Sequence, residues 1–134
     1  MLRAEVSPSE DRAKVLLAAR NVLGECSYDV EERDDSVVLR SSQLGCLQRM
    51  HDQLRDRHVR DAARRLLLKS IEGHQMRILL NRQAAFVGVI AAVSAAEESP
   101  LGPLVLELTY EKPEELLDWL TLYRAEELRE PTRL

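Results

Sequence analysis

Aromatic residues are scarce in this chain of 134 residues: one Phe, one Trp and three Tyr make up 4% of it. A surface that stacks unpaired bases on several rings is therefore poorly supplied. Five glycines and five prolines are too few for a linker, a fibrous repeat or a glycine-rich phosphate loop. The two cysteines, Cys26 and Cys46, stand 20 apart without CxxC or paired-His spacing. In a reducing compartment that spacing reads as two ordinary half-buried thiols, with a disulfide between them as the lesser alternative. Long apolar runs are missing too. The one extended uncharged stretch, residues 83–96, is too short to span a bilayer as a helix. The first ten residues hold no apolar run of a secretory signal, which predicts a cytoplasmic location.

What is present is a folded composition, with 45% hydrophobic and 31% charged residues and a formal net charge of −4. A chain of this size can close one core without metal or disulfide support, so a single domain over 1–134 is expected. The charge is unevenly spread. Residues 1–48 are net −3 and residues 97–134 net −6, whereas residues 49–82 hold nine basic against four acidic groups and all three histidines. A local basic field can attract an anionic partner in an acidic protein, although the same arginines can equally solvate a helix face or pair with Asp at helical spacing.

Alternation at Leu2, Ala4 and Val6 predicts an opening strand. Ser7-Pro8-Ser9-Glu10 has the form of a helix start with Ser7 as N-cap and Pro8 at the first helical position. That helix should run to Leu23, bury Val15, Leu16, Ala19, Val22 and Leu23, and stop at Gly24. Cys26, Tyr28 and Val30, then Val37 to Leu39, suit a hairpin. From Ser42 to Leu67 the apolar spacing is helical but interrupted at residues 55–58, which fits two consecutive helices or one kinked helix. In the second half Arg57, Arg60 and Arg64 share a stripe expected to lie opposite the apolar one. His74 to Leu80 alternates as a strand with Arg77 on its second face. Phe86 to Val93 is β-branched enough for another strand, with Ala84, Ala85, Ala91 and Ala92 leaving a helix open. After the turn at residues 99–103, Leu104 to Tyr110 is a clean period-2 strand, and Pro113 opens a helix with Leu116, Leu117, Leu120 and Tyr123 on its apolar face. Residues 127–134 read as frayed. Hairpins with helices between them make an α+β domain, a mainly antiparallel sheet with helices packed on one face.

No nucleophile-elbow or triad signature surrounds Cys26, Cys46 or any Ser, so the sequence predicts a non-enzyme. Cys46, His51 and His58 lack the spacing of a metal site, and Glu114 and Glu115 belong at a helix start on electrostatic grounds alone. No cofactor is implied. The surviving candidate is a phosphate-pairing surface of Arg57, Arg60, Arg64, Arg65, Arg77 and Arg82, since planar guanidinium groups pair phosphate through two donors at once.

Four blocks carry a resemblance: Arg60-Asp61-Ala62-Ala63-Arg64-Arg65, Asn81-Arg82-Gln83-Ala84-Ala85-Phe86-Val87-Gly88, Pro100-Leu101-Gly102-Pro103 and Asp118-Trp119-Leu120. In order and spacing, over nearly the whole chain, they resemble an archaeal family, uncharacterised protein family 0201. The resemblance implies RNA binding or association with an RNA-processing exosome complex, a fold similar to the ribosomal protein that binds 5S RNA, and a homodimer. It marks Arg60, Asp61, Arg64, Asn81, Arg82, Gln83 and Gly88. The family tends to carry an aromatic before Asn81, where Leu79 and Leu80 stand here, and a Lys after Gly88, where Val89 stands. The expected function is non-catalytic contact with the backbone of a structured RNA through Arg57, Arg60, Arg64, Arg65, Arg77, Asn81, Arg82 and Gln83. The alternative is an oligomeric interaction or scaffold subunit in which the 86–93 stretch is an interface and the arginines face acidic groups such as Asp118.

Overall fold

A computed structural model of the protein describes residues 1–54, 57–99 and 101–121, with the side chains of residues 57 and 58 excluded. Strand β1 (Leu2–Glu5) leads into helix α1 (Arg12–Leu23), and the hairpin of β2 (Asp29–Glu32) and β3 (Ser36–Arg40) follows. A single 3₁₀ turn at Leu44–Leu47 then enters α2 (Gln48–Gln53) and α3 (Arg57–Ser70). Strand β4 (Gln75–Leu80), the short helix α4 (Arg82–Phe86), strand β5 (Ala92–Val93), strand β6 (Leu104–Thr109) and helix α5 (Pro113–Thr121) complete the order. The six strands form one sheet in the order β2-β3-β1-β6-β4-β5, and every pairing is antiparallel. This is the α+β architecture that the alternating segments predict.

Strand periodicity decides which face is covered. Leu2 and Ala4 of β1 stand beside Leu39 and Val37 of β3 on one side and Leu106 and Leu104 of β6 on the other, and Ile78 and Leu80 of β4 extend the same rows. All are buried in one cluster with Val15, Ala18, Ala19 and Val22 of α1, Met50 of α2, Ala63 and Leu67 of α3, and Leu116, Leu117 and Leu120 of α5. The opposite face carries Glu5, Arg77 and Arg40 in the open, with Val38 and Val93 buried outside that cluster.

Several local expectations are corrected. Ser7 does not cap α1. Asp11 does, its side chain accepting the Ala13 N–H at 3.0 Å, because residues 7–10 close a separate turn in which the Glu10 N–H donates to the Ser7 carbonyl at 3.0 Å. Leu16 is only half-buried, and Ala18 takes the inward place. Gly24 stops the helix as expected, at φ +69°, where its N–H reaches the Arg20 carbonyl at 2.8 Å. The 86–93 stretch is not a strand. Asn81 caps α4 instead, a turn through Gly88 at φ +88° follows, and only Ala92–Val93 pairs with β4. The alanines and the Asn cap outweigh the β-branched residues there. The readings at Tyr123 and residues 127–134 fall outside the described residues.

Cys26 and Cys46 are not free thiols: they form a disulfide with Cα atoms 5.3 Å apart. Spacing along the chain could not reveal the pair, because the hairpin between them brings their backbones together. The bridge ties the exit of α1 to the 3₁₀ turn before α2, and closing a loop of 20 residues stabilises a fold by roughly 3 kcal/mol through the unfolded chain. Reduction, or the Cys26→Ser, Cys46→Ser pair, should therefore lower unfolding stability by about 3 kcal/mol. The check is chemical denaturation with and without reductant, alongside a thiol titration that finds reactive cysteine only after reduction.

Candidate nucleic-acid interface

The arginine set divides when each side chain is placed. Helix α3 lies between β4 and α5, and its inward stripe is Arg60, Ala63, Arg64 and Leu67 at i, i+3, i+4 and i+7. Arg60 is buried at 7% exposure. Arg64 is half-buried and donates from Nη1 to the Thr121 hydroxyl at 2.9 Å and to the Asp118 carboxylate at 3.0 Å. Thr121 in turn donates to the Leu117 carbonyl at 2.6 Å. The expectation of an arginine stripe opposite the apolar one is thus corrected: Arg60 and Arg64 share the apolar face, and α5 brings Asp118 and Thr121 to Arg64 there. The side chain of Arg57 lies outside the described residues. Beside this contact the His51 and Trp119 rings stack with centroids 4.5 Å apart, fastening α2 to α5.

Arg82 is the most committed of the set. It is 5% exposed, and its Nη1 donates to the Glu10 carboxylate at 2.7 Å while Nη2 reaches the Pro103 carbonyl at 3.4 Å. Its backbone N–H donates to the Ser99 hydroxyl at 3.0 Å, and that hydroxyl donates to the Gly102 carbonyl at 3.0 Å. Glu10 uses its other oxygen for the Ser7 N–H at 2.9 Å. One guanidinium therefore joins the turn before α1, the start of α4 and the turn before β6. Burial pushes the Glu10 carboxyl up, but the Ser7 N–H together with the hydrogen bond and charge of Arg82 outweighs it and leaves the group below its ordinary value. Asn81 is equally structural, its Oδ1 accepting the Ala84 N–H at 2.9 Å.

The remaining predicted residues face solvent. Arg65 is exposed on the outer side of α3, Arg77 is exposed on the uncovered face of β4 opposite Glu107, and Gln83 is exposed in the first turn of α4. Lys69, one turn beyond Arg65, was not singled out by the sequence and is exposed as well. Lys69 and Arg77 line one cleft of about 320 Å³ together with Ser70, whose hydroxyl accepts the Arg77 N–H at 2.8 Å. Glu72 and Glu107 share that cleft.

Two polar residues that the sequence did not single out shape the other side of the molecule. The Asn21 amide donates to the carbonyls of Ala85 and Phe86 at 2.9 and 3.1 Å. The Gln53 amide donates to the Gly88 carbonyl at 2.8 Å and accepts the Ile90 N–H at 2.7 Å. Between them they hold the 86–90 turn while Val87 and Val89 stay exposed at 71% and 50%. Among the described residues no cluster of His, Cys, Asp or Glu has the make-up of a metal site, and no helix is long and apolar enough to cross a membrane.

No family model matches the chain. A UPF0201 protein of Sulfurisphaera tokodaii is 41% identical over 123 residues, covering 90% of this chain and 85% of the relative. The chain belongs to the UPF0201 family. The crystal structure of an uncharacterized UPF0201 protein superposes with a TM-score of 0.74 at 28% identity, over 90% of both chains. A UPF0201 protein from Methanococcus jannaschii, at 21% identity, shares the fold with a TM-score of 0.73 over 90% of both chains.

The Glu10–Arg82 pair sets an acid dependence. Glu10 sits below its ordinary value near 4.5 in the folded chain, so its contribution is complete above that pH and fades as the pH falls through the lower folded value. Glu10→Gln should be destabilised at pH 7 and should lose part of the wild-type stability decline below pH 4.5. Arg82→Met, which strands a buried carboxylate, should cost about 3–5 kcal/mol. Denaturation midpoints measured from pH 7 to pH 3 check both.

Proposed function

We propose that this protein is a non-catalytic RNA-binding protein that contacts the phosphate backbone of a structured RNA through the solvent-facing cations of α3 and β4. The observation that carries the reading is the placement of Arg65, Lys69 and Arg77. All three are exposed, Arg65 and Lys69 are neighbours at i, i+4, and Lys69 and Arg77 open onto one cleft. Guanidinium and ammonium groups so spaced can follow successive phosphates without reading bases, which suits a chain with few stacking rings. Glu72 and Glu107 at the same cleft hold its charge near balance and limit the contact to a few phosphates. Arg60 and Arg64 lie on the inner face of α3, beneath this surface, whereas Asn81 and Arg82 are committed at the start of α4, Gln83 lies in the first turn of α4 and Arg57 opens α3. The proposal carries with it the likeness to the 5S-RNA-binding ribosomal protein, the homodimer, the cytoplasmic location and the association with an RNA-processing complex that the family resemblance implies.

A second reading, an oligomeric interaction or scaffold subunit, is favoured by a specific observation. Phe86, Val87 and Val89 form an exposed apolar turn held by Asn21 and Gln53, and the Arg64–Asp118 pair is the kind of internal arginine use that this reading expects.

Retention of structured RNA across a salt series separates the two. The RNA reading predicts a log–log salt slope of about −2 to −3, and loss of retention in the folded triple variant Arg65→Ala, Lys69→Ala, Arg77→Ala. Background retention at low salt overturns it. A change of mass in sedimentation on Val87→Ser, Val89→Ser, with RNA retention at background, supports the interaction reading instead.

A further inference from the structure

Cys26 follows α1 and Cys46 sits in the 3₁₀ turn that enters α2, so the disulfide fixes the exit of one helix against the entry of the other. Those are the two helices whose amides hold the 86–90 turn. Asn21, in the last turn of α1, donates to the Ala85 and Phe86 carbonyls, and Gln53, the last residue of α2, engages Gly88 and Ile90. Val87 and Val89, 71% and 50% exposed, contribute little burial that would keep the turn in place. Its outer part therefore depends on the two amides, and both reach it only while α1 and α2 keep their separation.

The other ties across this seam are slighter. The Ser27 N–H donates to Gln43 Oε1 at 3.2 Å and the Ser41 hydroxyl donates to the Ser27 carbonyl at 2.6 Å, both in the open. Arg49 Nη1 donates to the Asn21 carbonyl at 2.9 Å. Closing a loop of 20 residues outweighs each of these hydrogen bonds. Leu23, Leu47 and Met50 pack into the core beneath, but apolar packing is non-directional and sets the spacing of the helices less sharply than a covalent bond. The bridge also lies close to solvent. Cys26 is only partly buried, between the exposed Glu25 and Ser27, whereas Cys46 is 4% exposed. Glu25 and Gly45, the residues immediately before the two cysteines, line one cleft of about 400 Å³.

We propose that the Cys26–Cys46 bridge is a redox switch: oxidised, it holds the apolar 86–90 turn as a fixed surface, and reduced, it frees that turn while the sheet stays folded. The reductant is a dithiol. Its first thiolate attacks the Cys26 sulfur, breaking the Cys26–Cys46 bond and leaving Cys46 as the thiolate. Its second thiol then displaces Cys26, so the reductant closes as a disulfide and its two electrons and two protons end on the two cysteine thiols. The switch acts on the apolar surface of the interaction reading, but its operation rests on neither that reading nor the RNA one.

The test compares backbone amide order parameters of the full chain by NMR before and after dithiothreitol, with thiols titrated under native conditions. Reduction should release both cysteines of the folded chain. Order parameters of residues 86–89 should fall from about 0.85 to below about 0.6, while those of β4 stay at rigid values. The Cys26→Ser, Cys46→Ser pair should show the loose turn with or without dithiothreitol. Gln53→Ala should loosen the turn in the oxidised chain, with the bridge intact. A bridge that resists reduction in the folded chain, a turn already loose when oxidised or unchanged after full reduction, a loss of order that extends to β4, or a rigid turn in Gln53→Ala overturns the proposal.

Discussion

The buried pairing of Arg82 with Glu10 is the constraint on which the arrangement of this molecule turns. The two residues are 72 apart in sequence, and their side chains are 6% and 7% exposed. Neither charge could stay buried alone, since an unpaired ion in that setting costs several kcal/mol. The turn before α1, the start of α4 and the turn before β6 must therefore assemble together. That assembly places Leu101 and Phe86 at the rim of one cavity.

The same logic runs through the basic segment. A net +5 stretch has the look of a surface, yet Arg60 is buried, and Arg64 and Arg82 turn inward because carboxylates, a hydroxyl and a carbonyl from distant elements meet them. Arginine suits this use. Its planar head can satisfy several acceptors at once while its aliphatic stem packs against apolar neighbours. What remains outside is a smaller group of cations on α3 and β4, better matched to a few backbone phosphates than to an extended groove.

Much of the fold was legible from periodicity. The alternation at Leu2 to Val6, Met76 to Leu80 and Leu104 to Leu108 marks buried strand faces, and the Gly24 stop and the Pro113 start behave as local chemistry dictates. The errors lie where partners come from afar. Asp11 rather than Ser7 caps α1 because Glu10 is drawn to Arg82, and the Cys26–Cys46 bridge depends on the hairpin that separates its ends. The 86–93 stretch misled because its β-branched residues are exposed on a turn that Asn21 and Gln53 hold, and no local pattern announces either amide. For the candidate interface, the structure leaves Arg65, Arg77 and Gln83 exposed, which the sequence could not decide. The inward placement of Arg60 and Arg64 departs from the expected outward stripe, since helix spacing alone cannot tell that α5 will bring Asp118 and Thr121 to Arg64.

The most direct measure of this account is a double-mutant cycle on Glu10→Gln and Arg82→Met by chemical denaturation at neutral pH. Dependence on the buried pair predicts a coupling energy of about 2 kcal/mol or more, with the double variant losing much less than the two single losses combined. A coupling below about 0.5 kcal/mol, in the range of distant and independent sites, would contradict it.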